Sequence, residues 1–126
     1  MKPNLLLTLS AIYMGLVGLF VLISPALAFN LDAGASAALI AGLRGNASTF
    51  LAIAVLNWFA RNADASRARD AILLGNTVGF GLAAILEILA LLAGGQAFGW
   101  AFVVIHLLFT FAFFVVGRGN MSTAAS

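Results

Sequence analysis

The chain has 126 residues, 63% of them hydrophobic and 8% charged, with a net charge of +2 and no Cys. A soluble domain carries about a quarter charged residues, and one this short lacks the interior to hide so much apolar surface. Disulfides, thiolate catalysis and Cys-based metal sites are excluded, no basic stripe offers itself to nucleic acid, and lipid is left as the solvent.

In lipid every backbone group must be satisfied internally, so only helices or a closed barrel can span. The apolar runs are near 20 residues and lack period-2 alternation, which selects helices. The first run is Leu5 to Ser24, closed by Pro25. Lys2 before it and Ala26-Leu27-Ala28 after it mimic a signal peptide. The run exceeds the ~7–15 residues of a signal core, so a retained helix is expected. A polar stretch, Asn30 to Ser36, leads to a second run, 37–59, interrupted by Gly42-Leu43-Arg44-Gly45-Asn46. Two glycines around an Arg suggest a loosened helix there, with Asn46 or Ser48 capping the helical segment beyond it. The loop 60–70 carries Arg61, Asp64, Arg67 and Arg69. The third run is 71–93, the turn is Gly94-Gly95-Gln96, and the fourth run is 98–116, with a polar tail from Arg118. No internal repeat or linker divides the chain, so it reads as one domain, 1–126.

Orientation is set by Lys and Arg in short loops. Lys2, Arg61, Arg67, Arg69 and Arg118 fall on one side and none on the other. The expected fold is an all-α, four-transmembrane-helix antiparallel up-down bundle, with both termini cytoplasmic. Trp58 and Trp100 sit near the inner and outer interfaces, as aromatic belts require. Small residues mark close helix contacts in lipid. Ala11, Gly15 and Gly18 share a face of the first helix, and Gly75 and Gly79 form a GxxxG pair on the third. Both fit packing within the bundle, with a homodimer face as the alternative. The Phe residues of the fourth run surround the helix, so some must face lipid or another protein.

Three ionisable side chains lie inside these spans: Arg44, Glu87 and His106. An Arg at a helix centre costs roughly 2.5–3.5 kcal/mol by insertion scales, so such a group usually has a partner or a job. At 1.5 Å per residue the three lie ~10, ~9 and ~12 Å from the same surface. Arg44 is therefore expected to pair with Glu87, its planar fork matching the carboxylate, with His106 adjacent. Ser48, one turn beyond Arg44, can join them, and the Tyr13 hydroxyl needs a partner. Asn76, Phe80, Ala83 and Glu87 share a face. The cluster reads either as a structural pair that sets helix register or as a site for a proton, an anion or a quinone-like headgroup. A third reading has Arg44 snorkelling to headgroups. A lone His makes no bis-imidazole haem site, no HExxH or paired-carboxylate metal site is present, and Asp32, Asp64 and Asp70 sit in loops, so no Ser-His-Asp set forms. No cofactor, metal or enzymatic activity is expected. Asn46-Ala47-Ser48 and Asn120-Met121-Ser122 match a glycosylation pattern, but one lies in a span and the other on the cytoplasmic side.

With Pro25 ending the first helix, the Arg44-Gly45 step in the second and Glu87 in the third, the chain resembles small bacterial inner-membrane proteins of the four-helix, DoxX-like group, mostly of unknown function. The likeness runs from Leu5 to Gly117 and rests on layout and those few residues. It implies a compact antiparallel bundle, a bacterial multi-pass inner-membrane location and an accessory role. DoxX itself is a membrane subunit associated with thiosulfate and quinone chemistry, and no motif here carries that activity over. Three function classes are open: an accessory or structural subunit of a membrane complex, a small transporter or ligand-binding protein using the polar cluster, and a quinone-linked redox subunit. The partners are the lipid bilayer and other membrane subunits or a second copy.

Overall fold

A computed structural model describes residues 2–124, with side chains up to residue 119. Its regular elements are helices: α1 Pro3–Ile23, α2 Pro25–Ala28, α3 Ala37–Ala60, α4 Arg67–Leu92 and α5 Gly99–Ala124. No strand occurs among the described residues. All but α2 are long and apolar enough to cross a membrane, the shortest such stretch having 21 residues. At ~1.5 Å per residue that length gives roughly 30 Å, the thickness of a bilayer's hydrocarbon core. The chain is an all-helical, multi-pass membrane protein.

The helices depart from the apolar runs where capping outweighs hydropathy. α4 begins at Arg67, inside the expected loop, because Ser66 takes extended backbone and its hydroxyl accepts from the Arg69 amide at 3.3 Å. Asp70 then lies in the first turn, where the helix dipole favours an acid. α5 runs past 116 to Ala124; the side chains of Asn120-Met121-Ser122 lie outside the described ones. The loosening expected at Gly42 to Asn46 does not occur, and α3 is continuous from end to end. Ser48 caps nothing: its hydroxyl donates to the Gly45 carbonyl at 2.6 Å, a back-bond inside the helix. The cap that starts α3 is Ser36, which accepts from the Leu39 amide at 3.1 Å.

The short α2 has no counterpart among the apolar runs. Pro25 stops α1 and opens α2 at a position where its missing N–H costs nothing. Asn30, at φ 47, closes it, with Leu31 N–H bonded to the Ala26 carbonyl and Asn30 N–H to the Leu27 carbonyl. Asn tolerates this left-handed conformation better than most residues.

Two compact units make up the chain, Leu7–Arg61 and Asn62–Ser126 with Met1–Leu6. In the first, α1 and α3 meet with their partners in opposite chain order: Ser10 with Asn57, Gly15 with Ala54, Gly18 with Leu51. Gly18 marks the closest approach. A Cβ there would stand 2.9 Å from Leu51 Cγ and 3.2 Å from its backbone nitrogen. In the second unit, α4 and α5 pack along their length, again in opposite order, with Leu91 by Gly99, Gly81 by Thr110 and Leu73 by Gly117. The connection is a tight helix stop. Gly94, at φ +98, donates to the Leu91 carbonyl, and Gly95 donates to the Ala90 carbonyl. That is the paired bonding of a Schellman cap, whose left-handed residue favours glycine.

Candidate functional site

In the α4/α5 unit the helical spacing of Leu73, Asn76, Phe80 and Ala84 puts them on the buried face of α4. Glu87 extends this face toward the Gly94 turn. Across from it, His106 Nδ1 lies 2.9 Å from Glu87 Oε2. The His106 side chain is 11% exposed and that of Glu87 30%, so the imidazole is enclosed while the carboxylate keeps an open edge. An ionised Asp or Glu can only accept, and an imidazole carries one or two N–H donors. With Nδ1 carrying its proton, the contact is a charge-assisted hydrogen bond to the carboxylate.

Aromatic rings support the histidine. Phe80 lies 5.5 Å from the imidazole centroid and stacks on Phe109 at 4.8 Å. Phe113, fully buried, stacks on Phe80 at 5.8 Å. These rings hold the imidazole against one wall and leave Glu87 to bind it from the other. Below, Thr110 donates to the His106 carbonyl at 2.7 Å, and Asn76 donates to the Ile72 carbonyl at 2.8 Å. Both polar side chains thus use a donor within their own helices, as lipid demands. Among the described residues no three His, Cys, Asp or Glu gather to hold a metal ion.

The other polar candidates lie in the α1/α3 unit. Arg44 is exposed on α3, with Ser48 exposed one turn further on, and Tyr13 is half-buried on α1. Gly15 and Gly18 serve the α1–α3 contact. Gly75 and Gly79 do not line the α4–α5 contact: a Cβ at either would meet nothing within 4 Å, and Gly81, facing Thr110, takes that place.

Sequence reasoning passed over one polar contact. Asn57 donates through Nδ2 to Ser10 Oγ at 2.8 Å, with both residues fully buried between α1 and α3. Neither side chain ionises, so a search for charges in the spans goes past both. The available signal was an amide inside the apolar run Leu51–Phe59, facing a serine at matching depth on α1. Neutral polar groups also need partners in hydrocarbon.

The fold and these polar contacts define the class: a small multi-pass helical membrane protein with an acid–imidazole pair and an amide–hydroxyl pair inside its spans. Comparison with protein families, with characterised proteins and with solved structures finds no match to this chain.

Proposed function

We propose that this chain is a small accessory subunit of a bacterial inner-membrane complex, an antiparallel up-down bundle with cytoplasmic termini, and that α3 is its docking helix. The outward face of α3 carries this reading. Ala41, Gly45, Ser48 and Ala52 recur at three- and four-residue spacing and all are exposed, with Arg44 and Asn46 exposed beside them. Small residues let a second helix approach closely, and Ser or Asn can bond across the contact. Lipid tails offer Arg44 nothing, whereas a partner helix with an acidic group would remove most of the roughly 2.5–3.5 kcal/mol that a central Arg costs. Lys2, Arg61, Arg67, Arg69 and Arg118 support the orientation. The DoxX-like layout supports the bacterial inner membrane and the accessory role.

Purification in mild detergent with native mass spectrometry tests this. The chain should leave the membrane bound to another membrane protein or to a second copy, and Gly45→Leu should release that partner. A clean monomer, or a complex that Gly45→Leu leaves intact, sinks the proposal.

One observation favours a second reading, a small transporter or ligand-binding protein. Glu87 keeps an open carboxylate edge within an apolar span while hydrogen-bonded to His106. Buried ionisable groups in spans often mark ion or proton pathways. In that reading Arg44 is the counter-ion of Glu87, with Ser48 and Tyr13 completing the polar layer.

A further inference from the structure

The α1/α3 unit has a surface groove of about 230 Å³ lined by Ala11, Ile12, Ala54, Val55, Trp58 and Phe59. Its walls are hydrocarbon and indole, and Ile12, Val55 and Phe59 are exposed beside it. Arg61 stands at one end. Its guanidinium lies over the Trp58 ring, 3.6 Å from the centroid, and donates to the Trp58 carbonyl. Both partners are neutral, so the positive charge is uncompensated by them. The unit's single carboxylate, Asp32, precedes α3 while Arg61 comes after it. The 24 residues of α3 separate the two by roughly 36 Å at 1.5 Å per residue.

A greasy slot capped by a cation with no carboxylate within 4 Å among the described residues matches an amphiphile with a negative head. We propose that the groove holds one acyl chain of an anionic phospholipid and that Arg61 receives its phosphate. Arginine's fork suits phosphate oxygens bidentately. Its stacking on Trp58 holds it at the end of the span, where indole favours the headgroup level. The site lies at the carboxyl end of α3, where Val55 and Phe59 continue the stripe of Ala41 to Ala52 at helical spacing, one to two turns beyond it.

Bromine-labelled lipids read contact with an indole. A Trp100→Phe background leaves Trp58 as the sole tryptophan of the full chain. In nanodiscs, brominated phosphatidylglycerol should quench Trp58 more than brominated phosphatidylcholine at equal mole fraction. Arg61→Gln should reduce this preference about fivefold, the size expected for one basic residue beside an anionic headgroup. Val55→Phe, which fills the groove without touching charge, should lower quenching by the anionic lipid toward the zwitterionic level. Equal quenching by the two lipids in the Trp100→Phe protein overturns the proposal, and that comparison needs no groove variant to fold. Quenching by neither lipid means that protein, such as a second copy, covers the groove, and overturns it too. Retained preference in Arg61→Gln places the headgroup elsewhere, with the same result.

Discussion

The α1/α3 and α4/α5 contacts solve one problem by different chemistry. Each brings two helices together in opposite chain order, and each carries a polar contact between its helices. In α1/α3 the backbones come close, Gly18 admits Leu51, and the polar contact is the neutral Ser10–Asn57 bond. In α4/α5 the space is filled by stacked Phe80, Phe109 and Phe113, and the polar contact is Glu87–His106. Both contacts close tightly at a glycine, Gly18 on Leu51 and Gly99 on Leu91, so the difference lies in what fills the rest: an amide–hydroxyl bond in one, stacked rings with an acid–imidazole pair in the other.

The sharpest way to break this contrast is to remove a ring. Phe113→Ala should cost about 3 kcal/mol, the low end of the range for buried Phe, read as thermal unfolding in detergent. A loss below ~1 kcal/mol would mean the stack does not hold α4 to α5. Next comes Gly18→Leu, expected to cost about 2 kcal/mol because the added side chain must push Leu51 away. Ala at Gly75 or Gly79 meets open space and should stay within ±0.5 kcal/mol. If the Gly18 and Gly75 variants behave alike, the close contact of α1 with α3 is not where the structure has it.

The third test concerns Arg44. If the second reading holds, Arg44→Glu together with Glu87→Arg should recover up to ~1.7 kcal/mol relative to the sum of the single changes, the upper range for polar contacts in membranes; under the docking reading it should recover nothing. A double variant no better tolerated than either single one removes the Arg44–Glu87 pair and, with it, the layered binding site. The smallest coupling is expected in a double-mutant cycle of Ser10→Ala and Asn57→Leu. Its coupling should be about 0.6 kcal/mol, typical of membrane hydrogen bonds, and flat with pH because neither member titrates. A pH-dependent coupling would show that a charged neighbour shares the bond.

Much of this architecture is legible in the amino-acid sequence, for physical reasons. Four apolar runs of about 20 residues can hardly be anything but spans, and the GG turn before α5 is visible because only glycine takes Gly94's backbone easily. The start of α4 is not legible from hydropathy, since Arg67, Arg69 and Asp70 look like loop until Ser66 is recognised as a cap. Gly42 and Gly45 suggest a break that the structure lacks, because one helical turn beside apolar neighbours holds its backbone bonds regardless of two weak formers. Within the site, Glu87 and His106 stand out as charges in lipid. Ser10 and Asn57 do not, as nothing in one sequence ranks a neutral amide above its neighbours.

The Gly94 turn also bears on how the protein enters the membrane. Glu87 and His106 each make their helix costly to insert alone, but only 19 positions separate them and the cap between folds the chain back on itself. The α4/α5 hairpin can partition as one piece, with the acid and the imidazole already satisfied by each other. A glycosylation-reporter assay for insertion should therefore find Glu87 better tolerated in the hairpin than in α4 by itself, and equal insertion would refute this. For the translocon, the pair makes two helices a single cargo.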